Sequence, residues 1–174
     1  MSGLDPDFKN AVRVQTGLIA PLERRCLDFF ARRAPAWVKP DHLTALGFAA
    51  MFFAGLSYAA ARWWPPALLV VNVWLAVNWF GDSLDGTLAR FRHHERPRYG
   101  FYVDHIVDAF GSLFLFSGLA ASGHITPLVA IFSLIAYLLL MMDSFLATYT
   151  IGKFRISLFK FSPTELRILL ALGN

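Results

Sequence analysis

Long apolar stretches without charged side chains alternate with short polar connections along this chain. Residues 42–61 and 63–81 contain no Lys, Arg, Asp or Glu, and each is about as long as the ~20 residues that a helix needs to cross a bilayer. Residues 109–142 also lack these charges and are broken by turn-forming residues near 122–127, which predicts two further helices. The pattern therefore predicts an all-α, polytopic transmembrane helix bundle.

The two ends of the chain carry other helical patterns. Residues 12–37 mix Leu, Ile and Phe with Arg, and we predict an amphipathic helix that lies on the cytoplasmic membrane surface. Residues 163–174 begin another apolar helix. The chain thus divides into an N-terminal cytoplasmic amphipathic segment, residues 1–40, and a transmembrane domain, residues 41–174, to which any catalytic site of the chain would belong.

Composition agrees with a membrane protein, and the basic residues predict its orientation. The chain is 56% hydrophobic and only 16% charged. Of its 16 Lys and Arg residues, seven precede residue 42, four lie in residues 90–98 and four in residues 153–167. Because alternate connections are basic, we expect a multi-pass protein with a cytoplasmic N terminus. The net charge of +4 then reflects topology and anionic lipids, not nucleic acid, and the short chain favours a bacterial inner membrane.

Four carboxylates stand out within this apolar chain. Asp82 and Asp85 are three positions apart, and Asp104 and Asp108 are four apart, so each pair would share one face of a helix. Ionisable side chains within spans are costly and usually face a cavity, a metal or a partner. If the two helices pack antiparallel, the pairs could converge on hard divalent cations, Mg²⁺ or Mn²⁺, which prefer oxygen ligands.

Small residues accompany the carboxylates and would leave room for a ligand. Gly86, Ala89 and Gly100 carry little or no side chain, so a flat, charged ligand such as a nucleotide diphosphate could lie against the helix backbones. Asp82 would lie about 24 Å along its helix from Pro66, near the cytoplasmic end. A site there could take one substrate from water and another from the bilayer.

Structural ion pairing and cation transport fit the acidic cluster less well. Ion pairing would leave several carboxylates unpaired, because Arg90 is the one cation nearby in sequence within the spans. A divalent cation transporter could use acidic side chains. However, transport sites tend to lie near the midplane of the bilayer, whereas these carboxylates would cluster toward its cytoplasmic side. Neither a transporter nor an inactive membrane scaffold would need the space beside Gly86 and Gly100.

Two strings carry a specific resemblance. DSLDGTLAR at residues 82–90 and GFYVDHIVD at residues 100–108 resemble the signature of the CDP-alcohol phosphotransferase family, D-x-x-D-G-x-x-A-R followed by G-x-x-x-D-x-x-x-D. All of its fixed positions are present. The resemblance implies an integral membrane enzyme of phospholipid biosynthesis, which transfers a substituted phosphoryl group from a CDP-alcohol, such as CDP-diacylglycerol, to an acceptor hydroxyl and releases CMP.

The resemblance also implies an architecture and partners. The family fold has six transmembrane helices, of which about five are represented here, since residues 163–174 supply about twelve residues of the fifth. We therefore expect a chain truncated at its C terminus. The implied partners are a CDP-alcohol and a hydroxyl acceptor, at least one of them lipidic, together with membrane lipids and a second copy of the chain in a homodimer.

Roles of individual residues follow from the same resemblance. Asp82, Asp85, Asp104 and Asp108 would hold two Mg²⁺ or Mn²⁺ ions, and Asp108 would also act as the general base. The residues expected to contact the CDP moiety are Asp82, Gly86, Ala89, Arg90 and Gly100.

His105 offers an alternative base. The string DHIVD at residues 104–108 is similar to the DHGxD version of choline- and ethanolamine-phosphotransferase members, and imidazole titrates near neutrality. However, His105 is offset about 100° from Asp104 on an ideal helix, so it could instead hydrogen-bond elsewhere. The same string leaves a CDP-amino alcohol:diacylglycerol phosphotransferase open as an alternative function.

Three further polar residues are candidates for the acceptor pocket. Asn78 shares the face of Asp82, Asp143 would lie at a similar depth on its own helix, and Arg167 could reach an acceptor's phosphate from a helix start. Asn78 and Asp143 could equally form hydrogen bonds between helices.

Overall fold

The computed structural model describes residues 20–151 and 163–174. Within these ranges the chain forms helices and no strands. They are, in chain order, α1 (Ala20–Arg33), α2 (Pro40–Ala61), α3 (Ala67–Phe91), α4 (Pro97–Ser122), α5 (Pro127–Ile151) and α6 (Pro163–Gly173). The prediction of an all-α polytopic bundle is confirmed.

Four of these helices, α2 to α5, are long and apolar enough to cross a membrane. The third helix continues for ten residues beyond the uncharged stretch that ends at Gly81, so that Asp82 and Asp85 lie within it. Asp85 is buried within the bundle, as is usual for an ionisable side chain in an apolar helix. The short α6, of 11 residues, is the described part of the further helix expected near the end of the chain.

The second helix is the central support of the bundle. Both α3 and α4 pack mainly on α2 and make little contact with each other. Small residues allow this close approach: a β-carbon on Gly81 would lie 2.6 Å from the Leu43 carbonyl oxygen, and one on Gly118 would overlap the Gly55 carbonyl. The direct antiparallel packing of α3 and α4 that we considered is therefore replaced by an arrangement in which α2 bridges them.

Two apolar clusters hold this arrangement at its two ends. One joins α2, α3 and α4 through Ala54, Tyr58, Val71, Leu75 and Leu115. The other joins α1, α2 and α3 through Leu27, Ala31, Leu43, Leu84 and Leu88. Burial of such apolar surface contributes about 25 cal/mol per Å², and the second cluster lies beside the acidic part of α3.

The first helix is docked onto the bundle. Residues 12–19 of the predicted surface helix lie outside the described residues, and the described α1 packs against α3. Arg92 stabilises the connection between α1 and α2. Its guanidinium donates hydrogen bonds to the carbonyls of Ala34 at 3.0 Å, of Pro35 at 2.8 Å and of Val38. The start of α2 is thereby fixed to the end of α3.

The last described helix runs antiparallel to α3. Asn72 donates a hydrogen bond to the Ala171 carbonyl at 3.1 Å, and Asn174 donates one to the Asn72 side chain at 2.7 Å. Tyr58 on α2 donates to the side chain of Asn174 at 2.8 Å. Buried polar groups of this kind fix helices to one another in an apolar surrounding, and here they bring the beginning of α6 toward Asp82.

Candidate functional site

Four carboxylates on α3 and α4 influence one another electrostatically. Asp85 lies near enough to Asp82 and Asp104 for electrostatic repulsion between the side chains, and Asp108 interacts in the same way with all three. The helices α3 and α4, which carry these side chains, both pack on α2 and make little contact with each other. The four residues that the sequence singled out thus lie within electrostatic reach of one another, and their role as one site stays a prediction.

Asp85 is the most enclosed of the four. Its side chain is buried, and the hydroxyl of Thr44 on α2 donates a hydrogen bond of 2.6 Å to its Oδ2 atom. Its Oδ1 atom accepts from the backbone N–H of Gly86. A buried carboxylate requires such donors, and together they fix its orientation. Thr44 was not predicted as part of the site, because its separation of 41 positions from Asp85 leaves no local sequence signal.

Asp82 carries a direct ion pair. The guanidinium of Arg167 on α6 lies 2.8 Å from its Oδ2 atom. The Arg167 side chain is 16% exposed and that of Asp82 is 33% exposed, and Arg167 also interacts electrostatically with Asp108. The structure therefore places Arg167 at the acidic cluster, as a cation beside two of its four carboxyl groups.

Tyr137 on α5 is a further member of this region. It lies within electrostatic reach of Asp108, Arg167 and Asp82, and its ring centroid lies 6.4 Å from that of Phe116. Sequence reasoning missed this tyrosine. The available signal was a phenol in the apolar middle of α5, where a hydroxyl usually seeks a polar partner.

The small residues differ in what surrounds them. A β-carbon on Gly100 would meet no atom within 4 Å among the described residues, whereas one on Gly86 would lie 3.4 Å from the guanidinium of Arg90. Arg90 also donates a hydrogen bond of 3.2 Å to Thr87, and Ala89 is only partly buried. There is thus space at Gly100, while at Gly86 a long cationic side chain borders the backbone.

His105 turns toward α5. Its Nδ1 atom donates to the Phe101 carbonyl one helical turn earlier. Its ring centroid lies 3.9 Å from that of Phe145 and 4.0 Å from that of Phe101. This packing fits the alternative in which His105 has a structural, hydrogen-bonding role. Of the two candidates for the general base, Asp108 is the one that lies near the other carboxylates.

The two remaining pocket candidates are arranged differently from Arg167. Asn78 is buried, and its amide donates a hydrogen bond of 3.0 Å to the Gly47 carbonyl of α2, as interhelical contacts do. Asp143 is exposed on α5, and within the described residues no hydrogen bond or ion pair joins it to the acidic cluster. The structure therefore links only Arg167 of the three directly to Asp82.

The donor set can be compared with what a metal ion requires. Four carboxyl groups supply hard oxygen donors, which suit Mg²⁺ or Mn²⁺ in kind and number. Among residues 20–151 and 163–174, no three Asp, Glu, His or Cys side chains stand close enough to hold one ion. The residues thus fit such a cation chemically, and their side chains would have to move closer together to bind it.

Comparison with known proteins shows the family of this chain. The family model described as CDP-alcohol phosphatidyltransferase matches residues 37–172, a range that includes all four carboxylates, Thr44, Tyr137 and Arg167. No curated protein matches the sequence. With its four apolar helices, this integral membrane protein belongs to the CDP-alcohol phosphatidyltransferase family.

Proposed function

We propose that this protein transfers a substituted phosphoryl group from a CDP-alcohol to the hydroxyl of an acceptor and releases CMP, at least one substrate being a lipid. The observation that supports the proposal most directly is the electrostatic proximity of Asp82 and Asp85 on α3 to Asp104 and Asp108 on α4. The family match supports phosphotransfer in lipid synthesis, and the four carboxylates offer the oxygen donors that a cation-assisted transfer would use.

The donor substrate would bind between α3 and α4 with its diphosphate toward the four carboxylates. Asp82, Asp85, Asp104 and Asp108 would hold Mg²⁺ or Mn²⁺. When bound, such ions neutralise phosphoryl oxygens and a leaving phosphate. Space at Gly100 admits the nucleotide. The guanidinium of Arg90, folded over Gly86, can move to form charge-assisted hydrogen bonds with a phosphate or carboxylate.

The acceptor hydroxyl needs a group that removes its proton. Asp108 takes this role in our proposal, because it lies among the other carboxylates while His105 is packed against Phe145. As the proton passes to Asp108, the acceptor oxygen forms a bond to the phosphorus that carries the alcohol, and the bond from that phosphorus to the CMP oxygen breaks. CMP then leaves with the electron pair of the broken bond.

Arg167 and Tyr137 would orient the acceptor. Both interact with Asp108, so they border the place where the reacting hydroxyl must lie. A guanidinium suits a phosphate or another anion on the polar substrate, and a phenol can donate a hydrogen bond to a hydroxyl oxygen. Their contacts favour CDP-diacylglycerol with a small polar acceptor over a CDP-amino alcohol, whose cationic head group Arg167 would repel.

The site would face the cytoplasm of a bacterial cell. Arg92 and Arg96 lie in the α3–α4 connection and Arg98 follows at the start of α4, and basic connections remain on the inner side. With Cys26 replaced by Ser, an impermeant thiol reagent applied to intact cells should label His124→Cys in the α4–α5 connection but not Glu95→Cys. Labelling of Glu95→Cys alone would contradict this orientation.

Release of CMP tests the proposed reaction. The purified protein in lipid vesicles would be supplied with Mg²⁺ or Mn²⁺, with CDP-diacylglycerol or CDP-amino alcohols as donors, and with a panel of polar or lipid acceptors. We expect CMP from one donor–acceptor pair, only with the cation. Asp82→Asn and Asp104→Asn should abolish release in folded protein, whereas Asp28→Asn, on exposed surface of α1, should not. Wild-type rates in both site variants would overturn the proposal.

A further inference from the structure

Glu23 on α1 is an acidic residue whose role the reaction leaves unexplained. Its side chain is buried. Its Oε1 atom accepts a hydrogen bond of 2.9 Å from the indole N–H of Trp79 and one of 3.2 Å from the hydroxyl of Ser83. Trp79 and Ser83 are one turn apart on α3, so a single carboxylate oxygen joins two helices.

This contact is the polar end of a continuous interface. Glu23, Leu27 and Ala31 form the buried stripe of α1 at four-residue spacing, as expected for one face of a helix. The same interface includes Phe30, whose ring stands edge-on to that of Phe80 with centroids 5.2 Å apart. The other face of α1 is exposed, including Asp28, which makes Asp28 a natural comparison for Glu23.

The place of Ser83 connects this interface to the carboxylates. Ser83 immediately precedes Leu84 of the apolar cluster and directly follows Asp82. If the hold on Ser83 and Trp79 were lost, α3 could turn about its axis. A turn of about 10° moves a side chain at ~6 Å from the axis by about 1 Å, and a misplacement of that size can cost about 100-fold in rate.

We propose that Glu23 is a positioning residue of the site. Through Trp79 and Ser83 it sets the rotation of α3, and thereby the direction in which Asp82 and Asp85 point. The inference rests on the proposed function for its activity measurement, but its effect on cation binding can be measured without substrates. It makes the docking of α1 a requirement for an ordered site, beyond its contribution to membrane attachment.

The first test compares three variants of the full-length protein in lipid. Glu23→Ala removes the acceptor, Glu23→Gln keeps an oxygen in the same place, and Asp28→Ala removes an exposed acid from the same helix. Binding of Mn²⁺ alone would be followed by electron paramagnetic resonance, and kcat and KM by CMP release. We expect Glu23→Ala to weaken Mn²⁺ binding and lower kcat, each about 10-fold, with Glu23→Gln within about threefold of wild type and Asp28→Ala unchanged.

A double-mutant cycle tests the route through α3. Ser83→Ala should reduce kcat by itself. In the double variant Glu23→Ala/Ser83→Ala, the fold-decrease in kcat should be smaller than the product of the two single fold-decreases, because both substitutions remove the same interaction. A fold-decrease in kcat of the double variant that equals the product of the single fold-decreases would overturn the proposal. Wild-type Mn²⁺ binding and kcat in folded Glu23→Ala would also overturn it. If Glu23→Ala does not fold, Trp79→Phe, which keeps an aromatic ring and removes the donor, replaces it in the same comparison.

The outcomes separate this inference from the proposed reaction. A wild-type protein that binds Mn²⁺ but releases no CMP would count against the reaction alone, because the effect of Glu23→Ala on Mn²⁺ binding could still be read. A wild-type protein that releases CMP, with a Glu23→Ala variant equal to it in both measurements, would count against the positioning role alone.

Discussion

Arg167 on α6 and Asp82 on α3 form an ion pair of 2.8 Å across 85 positions of sequence. The pair brings a cation into a region that otherwise contains four carboxyl groups, two of which, Asp82 and Asp108, interact with it. A guanidinium is always charged in proteins and has five donors. It can therefore hold a carboxylate while donors remain for an anionic substrate.

Replacement of Arg167 should affect both substrate binding and rate. We expect Arg167→Gln to lower kcat/KM for CMP release about 100-fold, because it removes the guanidinium that would hold and orient an anionic acceptor. Arg167→Lys should retain more activity than Arg167→Gln, because it keeps the charge without the planar fork. Arg25→Gln, on exposed surface of α1, serves as the control. Equal activity of Arg167→Gln and wild type would exclude this role.

Thr44 should be important through its contact with Asp85. Thr44→Val keeps the shape of the side chain but removes the hydroxyl that donates at 2.6 Å. We expect kcat/KM to fall about 10-fold, since loss of a hydrogen bond that orients a metal-binding carboxylate has effects of this size. Thr44→Ser should recover most of the activity. A serine variant as slow as the valine variant would show that the hydroxyl is not the cause.

The kcat values of variants at Asp108 and His105 will show which of the two residues acts as the general base. Because His105 donates to the Phe101 carbonyl and packs on Phe145, His105→Ala should cost about 3 kcal/mol or less in unfolding free energy and retain measurable turnover. Asp108→Asn should reduce kcat at saturating Mg²⁺ by at least about 100-fold, the usual range for a general base. The reverse ranking of kcat would transfer the base role to His105.

The parts of the site that sequence could predict are those with local spacing. Asp82 with Asp85, and Asp104 with Asp108, share helix faces because three or four residues make one turn, and in the structure Asp108 lies within electrostatic reach of the other three. By contrast, Tyr137 is one phenol in an apolar helix, and no periodicity reveals which distant residue it will face. Contacts of this kind depend on how whole helices are arranged.

The relation of α3 to α4 shows the same limit in the fold. Hydropathy predicted the spans, but direct packing of the acidic helices was only one of the possible arrangements. The close approaches at Gly81 and Gly118 determine the outcome, since each glycine lies against the backbone of α2. Their importance depends on the partner at the same depth, which the spacing within one helix does not reveal.

Gly118 and Gly100 therefore provide the final prediction, because they lack a side chain for different reasons. A β-carbon at Gly118 would overlap the Gly55 carbonyl, while one at Gly100 would meet open space among the described residues. Gly118→Ala should destabilise the fold by about 1–3 kcal/mol, as overpacking does, and lower the Tm by about 5 °C.

Gly100→Ala should keep the wild-type Tm but raise the KM for the CDP-alcohol, because its methyl group would occupy the space proposed for the nucleotide. Measurement of Tm in lipid and of KM by CMP release separates the two effects. A lower Tm for Gly100→Ala with an unchanged KM would mean that this space belongs to helix packing and not to the ligand.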